Sequence, residues 1–159
     1  YNVPSRTVAD MQVETALRLA QVPGVIGIKD ATGDIARGSA LLRGAPPGFS
    51  VYSGNDDSAA ALMLLGGHGS VSVTANIAPR AIQAICAAAL AGDARTTARL
   101  QLQLLALHQV LFVEPSPAPT KWALEQLGRC GATVRLPITP LSESGRAAVK
   151  AALVESRLL

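Results

Sequence analysis

Three short strand-like runs, at residues 25–29, 49–53 and 70–74, alternate with helix-length segments through tight, glycine-containing turns. Strand, helix, strand, helix, strand with short connections is the pattern of βα units and a parallel sheet. The first run, Val25-Ile26-Gly27-Ile28, is almost continuously apolar, as expected of a strand covered on both faces. Ahead of it, Tyr1-Asn2-Val3-Pro4 reads as the end of another strand leaving into a loop, because Pro4 cannot continue a ladder. Helices are expected over 8–20, 35–43 and 58–65. In the first of them Val13, Ala16, Leu17 and Ala20 share a face, and Pro23-Gly24 breaks it.

The second half of the sequence reads as all-helical. A helix over 79–90 has Pro79 at its start and Gly92 just past its end. A long helix over 95–112 carries Leu100, Leu104, Leu107 and Leu111 in register. Pro115-Ser116-Pro117-Ala118-Pro119 is a stiff break before a helix over 120–127, and Ser142 caps a last helix reaching 155. The expected organisation is an α/β part over 1–92 and a helical domain over 93–159.

A (β/α)8 barrel needs eight strands and about 250 residues. Three strands and the tail of a fourth supply roughly half of that. An open sheet ending at these strands would present two bare parallel edges. The first residue is Tyr1 rather than Met. The expectation is therefore a fragment: the C-terminal half of a (β/α)8 TIM barrel followed by an all-helical C-terminal extension.

Composition excludes several function classes. Hydrophobic residues make up 49% of the chain and can fill a core, but aromatics are only 3%, so Ala, Leu, Val and Ile must pack it. The formal charge is +3, yet no run of Lys or Arg interleaves with aromatics, which argues against nucleic acid. No apolar stretch has the length of a membrane span. Cys86 and Cys130 stand apart from each other and from His68 and His108, so no metal-ligand spacing exists. Two idle thiols fit a reducing compartment, and the cytoplasm is the expected location.

Lys29 is the residue that points to chemistry. It is one of three lysines against eleven arginines, and it closes the first apolar run. An ammonium there is costly to desolvate, and burial lowers a lysine pKa and frees the lone pair for attack on a carbonyl. The plainer alternative is a lysine snorkelling off a strand end. Other polar features read as structural. Gly66-Gly67-His68-Gly69 precedes a strand rather than opening a helix, so it is a turn and not a phosphate cradle. Asp56 and Asp57 sit where carboxylates cap a helix. His68 and His108 have no acidic residue or Cys at useful spacing in the sequence, and Glu114 before Pro115 reads as a loop hydrogen-bonder.

Tyr1-Asn2-Val3-Pro4-Ser5-Arg6-Thr7, followed by Gly27-Ile28-Lys29-Asp30-Ala31-Thr32-Gly33, resembles the dihydrodipicolinate synthase family of imine-forming, aldolase-like lyases, which includes N-acetylneuraminate lyase. The resemblance runs on through Ser53-Gly54-Asn55-Asp56 and the 66–76 stretch to Leu136-Pro137-Ile138-Thr139-Pro140-Leu141, in one collinear order. It implies that Lys29 forms the Schiff base with pyruvate and that Tyr1 relays protons beside it. Arg6 would hold a substrate carboxylate, and Gly54 and Val71 would line the pyruvate pocket, Val71 through its backbone carbonyl. No cofactor and no metal are implied.

Arg6 favours the synthase branch, which condenses pyruvate with aspartate semialdehyde to 4-hydroxy-tetrahydrodipicolinate on the route to lysine. Another pyruvate-dependent aldolase of the family is the neighbouring reading. An inactive, truncated remnant is the reading from a different class. The family is tetrameric, so a homo-oligomer is expected. Its N-terminal half supplies a threonine and a second tyrosine of the proton relay, the loop for the pyruvate carboxylate and much of the tetramer contact. Val8 departs from the pattern, since a glycine often follows Ser-Arg-Thr; Ser116 stands where asparagine is usual.

Overall fold

The structure, a computed structural model, describes residues Tyr1–Leu159 and divides into two compact units. The first comprises Tyr1–Ser72 with Ile85–Ala98, and the second Val73–Ala84 with Arg99–Leu159. Elements follow in the order α1 Pro4–Thr7, α2 Val13–Leu19, β1 Gly27–Asp30, α3 Ile35–Gly44, β2 Ser50–Ser53, α4 Ala59–Leu64 and β3 Gly69–Ser70. A 3-10 turn, Thr74–Asn76, leads to α5 Pro79–Leu90, α6 Ala94–Gln103, α7 Leu105–Val110, α8 Ala118–Gln126 and α9 Glu143–Glu155. No helix is long and apolar enough to cross a membrane.

The first unit is α/β. Its three strands lie parallel in the order β1-β2-β3, with Lys29 opposite Tyr52, Asp30 opposite Ser53, and Ser53 opposite Ser70. Asn2 adds an isolated parallel bridge to Asp30, so the residues before Pro4 do end a strand-like segment. Ile28 and Val51 point away from the Lys29 face and pack with Ala16, Leu41, Phe49 and Leu62 into one core. Gly27 permits the close approach of β1 to β2, since a Cβ there would stand 2.6 Å from the Ser50 carbonyl oxygen.

Asp34 caps α3 by accepting the Arg37 N–H at 3.0 Å. His68 extends the β2–β3 contact: its N–H donates to the Val51 carbonyl, and its Nδ1 accepts the Val51 N–H at 3.1 Å. This gives the histidine a structural role, as expected from its lack of acidic partners.

The second unit is helical throughout. Leu104, Leu107 and Leu111 are buried, as their spacing predicts. The single helix expected over 95–112 is two helices, parted at Leu104, whose φ of −105° and ψ of 2° leave the helical region. Ser142 caps α9 by accepting the Gly145 N–H at 3.1 Å, and Glu114 accepts both the Ser142 N–H and its hydroxyl. His108 is buried, with Nδ1 2.9 Å from the Thr74 hydroxyl.

Several expected boundaries shift for local reasons. The strand expected over 25–29 starts at Gly27, leaving Val25 37% and Ile26 77% exposed, so the run is not covered on both faces. The strand expected over 70–74 is only Gly69–Ser70, because Val73 and Thr74 already turn helically. The N-cap residue of α4 is Ser58, directly after Asp56 and Asp57. The helix expected over 8–20 starts at Val13, because Val8 closes the separate turn α1 with φ 55° and ψ 19°.

A β-branched residue in that left-handed region is strained by roughly 1–2 kcal/mol. Val8 is also 94% exposed, so replacing it loses no packing. Val8→Gly is expected to stabilise the fold by about 1 kcal/mol, after allowing for the greater freedom of glycine in the unfolded chain. Thermal denaturation of the intact protein checks this; an unchanged or lowered midpoint would contradict it.

Candidate active site

Three parallel strands end side by side, and their carboxyl ends carry the residues singled out in the sequence. Lys29 is the third residue of β1, Gly54 follows β2 directly, and Val71 follows β3. The Gly54 N–H donates to the Asp30 carbonyl at 2.7 Å, and the Val71 N–H donates to the Ser53 carbonyl at 2.8 Å. Each position therefore continues the ladder one residue past its strand. The carboxyl ends of parallel strands are where α/β proteins gather binding and catalytic groups.

Tyr1 joins this row through the bridge at Asn2. The Asn2 N–H donates to the Lys29 carbonyl at 2.9 Å, and the Ala31 N–H donates to the Asn2 carbonyl at 2.9 Å. In extended chain, successive side chains alternate faces. With Asn2 beside Asp30, Tyr1 and Lys29 share the other face, and the Lys29 Nζ lies 4.2 Å from the centroid of the Tyr1 ring. Lys29 is half-buried and Tyr1 is 63% exposed. Neither other lysine is so placed: Lys121 donates to the Thr133 carbonyl, and Lys150 is exposed on α9.

Gly54 fixes the room available to Lys29. A Cβ at that position would stand 2.9 Å from Lys29 Cε and 2.7 Å from the Ala31 Cβ. Arg6 is the third residue of α1. It lies exposed on α1 and forms no ion pair. No group of three or more His, Cys, Asp or Glu side chains converges as a metal-binding set.

On the opposite face of β1 stands a polar network that the sequence reading missed. Asp30 is 6% exposed and Asn2 3%. One Asp30 oxygen accepts the Thr32 hydroxyl at 2.5 Å and the Thr32 N–H at 3.1 Å. The other accepts Arg37 Nε at 2.7 Å and lies 3.4 Å from Asn2 Nδ2. Burial pushes the Asp30 carboxyl up, but the hydrogen bonds from Thr32 and Arg37 and the Arg37 charge outweigh it, so the group stays below its usual value. In the sequence Asp30 stands inside the motif over 27–33 with no role of its own. The available signal was an acidic residue inside the strand motif with Arg37 one helix entry later.

A lysine packed on a tyrosine thus stands at the carboxyl end of a parallel sheet in an α/β unit. The chain belongs to the dihydrodipicolinate synthetase family, whose family model matches residues 1–156. A protein of Methylibium petroleiphilum named 4-hydroxy-tetrahydrodipicolinate synthase is 60% identical over 159 residues, covering 100% of this chain and 54% of that protein. The protein of the same name from Leptothrix cholodnii is 62% identical with the same coverage.

Among solved structures, the chloride-inhibited dihydrodipicolinate synthase of Acinetobacter baumannii, complexed with pyruvate, superposes with a TM-score of 0.97 at 46% identity. That match covers 100% of this chain and 55% of the other. The dihydrodipicolinate synthase of Thermotoga maritima gives a TM-score of 0.96 at 37% identity, again over 100% and 55%. The chain thus spans about half the length of the curated relatives it matches.

Two outcomes follow from the geometry. Gly54→Ala is expected to push the Lys29 side chain off the Tyr1 ring and to destabilise the fold by about 1–3 kcal/mol. A crystal structure of the variant checks this; an undisturbed Lys29–Tyr1 contact would contradict it. The second concerns acid. A carboxyl with a depressed folded pKa contributes stability that is present above its unfolded value and is lost as pH falls through the folded one. Asp30→Asn is therefore expected to flatten the loss of stability below about pH 4, measured by denaturant midpoints. An unchanged pH slope in the variant would count against the role given to Asp30.

Proposed function

We propose that this chain is the C-terminal half of a (β/α)8 barrel with a helical extension, and that it carries the nucleophile of a 4-hydroxy-tetrahydrodipicolinate synthase. Residues 1–92 form the barrel part and 93–159 the helical domain. The observation that carries the proposal is the Lys29 Nζ standing 4.2 Å from the Tyr1 ring centroid at the carboxyl end of β1. The names of the relatives and the pyruvate complex of the Acinetobacter baumannii structure support it.

In this reading the Lys29 amine attacks the ketone carbon of pyruvate and forms a carbinolamine. Loss of water gives the Schiff base, and the departing hydroxyl takes a proton that the Tyr1 phenol delivers. Such positioned proton transfer accelerates a step by about 100- to 10,000-fold. The protonated imine then acidifies the neighbouring C–H, and the Tyr1 phenolate takes that proton back. The enamine formed attacks the aldehyde carbon of aspartate semialdehyde, and the Tyr1 phenol protonates the resulting alkoxide. The amine of the semialdehyde then attacks the imine carbon, closing the ring and releasing the Lys29 amine. Arg6 holds the carboxylate of that second substrate in a two-point fork. Gly54 and Val71 line the pyruvate pocket.

The reaction needs no cofactor, because lysine supplies the electron sink. The protein works in the cytoplasm as a homo-oligomer, a tetramer as in the family. The product feeds lysine biosynthesis.

The test is pyruvate-dependent consumption of aspartate semialdehyde by the intact protein. Lys29→Ala is expected to lower kcat by at least about 1,000-fold. Arg6→Ala is expected to raise KM for the semialdehyde by about 10- to 100-fold, the loss of a charged hydrogen bond, with KM for pyruvate unchanged. Full activity in Lys29→Ala would refute the mechanism. A neutral aldehyde preferred by the unaltered protein would overturn the substrate.

A further inference from the structure

We propose that Arg37, acting through Asp30 and Asn2, is the positioning residue that holds Tyr1 against Lys29. This rests on the reading of Lys29 and Tyr1 given above. Asn2 is joined to β1 by one isolated bridge of two backbone hydrogen bonds, so a pivot of the Tyr1 segment about that single point is opposed by nothing further in the ladder. What resists the pivot lies on the opposite face.

Arg37 Nε donates to Asp30 at 2.7 Å, and Arg37 Nη2 donates to the Met11 carbonyl at 2.6 Å. Asn2 closes the loop from the other side: its Oδ1 accepts the Met11 N–H at 3.1 Å, and its Nδ2 donates to Asp10 at 2.8 Å. A single guanidinium on α3 thus joins the strand that bears Lys29 to the 10–11 segment that grips Asn2. The Arg37 side chain is 9% exposed and that of Asp30 5%, so water does not dissolve the pair. Thr32 holds the other Asp30 oxygen and stops the carboxylate from rotating away from the guanidinium.

A lysine at position 37 would keep the charge but could not span both acceptors, because an ammonium is a point charge and not a fork. Removing the Thr32 hydroxyl would keep the guanidinium in place and let the same carboxylate rotate more freely. Displacing Tyr1 by even an ångström should cost rate rather than substrate affinity.

The experiment measures kcat and KM of the intact protein for Arg37→Lys, for Thr32→Val, and for each in a Tyr1→Phe background. Arg37→Lys is expected to lower kcat by about 10- to 100-fold with KM for pyruvate nearly unchanged. Thr32→Val should act in the same direction by a smaller factor, and it decides the matter if Arg37→Lys does not fold. In the Tyr1→Phe background neither change should lower kcat further, because residues acting through one group are non-additive. A merely structural ion pair would shift the denaturation midpoint and leave kcat per folded molecule unchanged. That result, or full additivity with Tyr1→Phe, would overturn the proposal. Full activity in Lys29→Ala would instead remove the reading beneath it.

Discussion

Two backbone hydrogen bonds, from the Asn2 N–H to the Lys29 carbonyl and from the Ala31 N–H to the Asn2 carbonyl, lock residue 2 beside residue 30. Because side chains alternate along extended chain, this one register places two different pairs at once. Tyr1 meets Lys29 on one face, and Asn2 meets Asp30 on the other. A slip by one residue would exchange the faces. Tyrosine would then turn toward the helix layer, and asparagine would stand beside the lysine. The rest of the sheet end follows the same logic, with Gly54 and Val71 each one residue past a strand in a common register.

The polar face of that bridge is costly to bury and is nevertheless built from charges. A buried ion pair contributes little net stability once desolvation is set against it, although breaking it by removing one partner is expensive. Here the carboxylate is satisfied on both oxygens and the guanidinium is spread over two segments. What such an arrangement supplies is geometry. It ties the turn after Thr7, the end of β1 and the entry of α3 into one unit directly behind the lysine.

The βα alternation was legible because strand and helix periods, and the turns between them, are local properties. The leucine spacing through Leu104, Leu107 and Leu111 and the Ser142 cap were legible for the same reason. Element ends were not. Val8 takes a left-handed conformation that its side-chain type disfavours, and Ile26 stays exposed in an apolar run, so residue type misleads at both places. Lys29, Tyr1, Gly54 and Val71 were singled out by chemistry and by motif. Their convergence depends on strand register, which composition does not encode. The Asn2–Asp30 contact joins residues 28 apart, beyond the reach of any local pattern, and Arg37 gains meaning only once that contact exists.

The central claim is that Lys29 is the imine-forming lysine. Borohydride reduction in the presence of pyruvate, followed by peptide mapping of the intact protein, tests it most directly. The account predicts one stable adduct, on the peptide carrying Lys29, and none on Lys121 or Lys150. No adduct at all, or an adduct on either of those lysines with Lys29 unmodified, would contradict it.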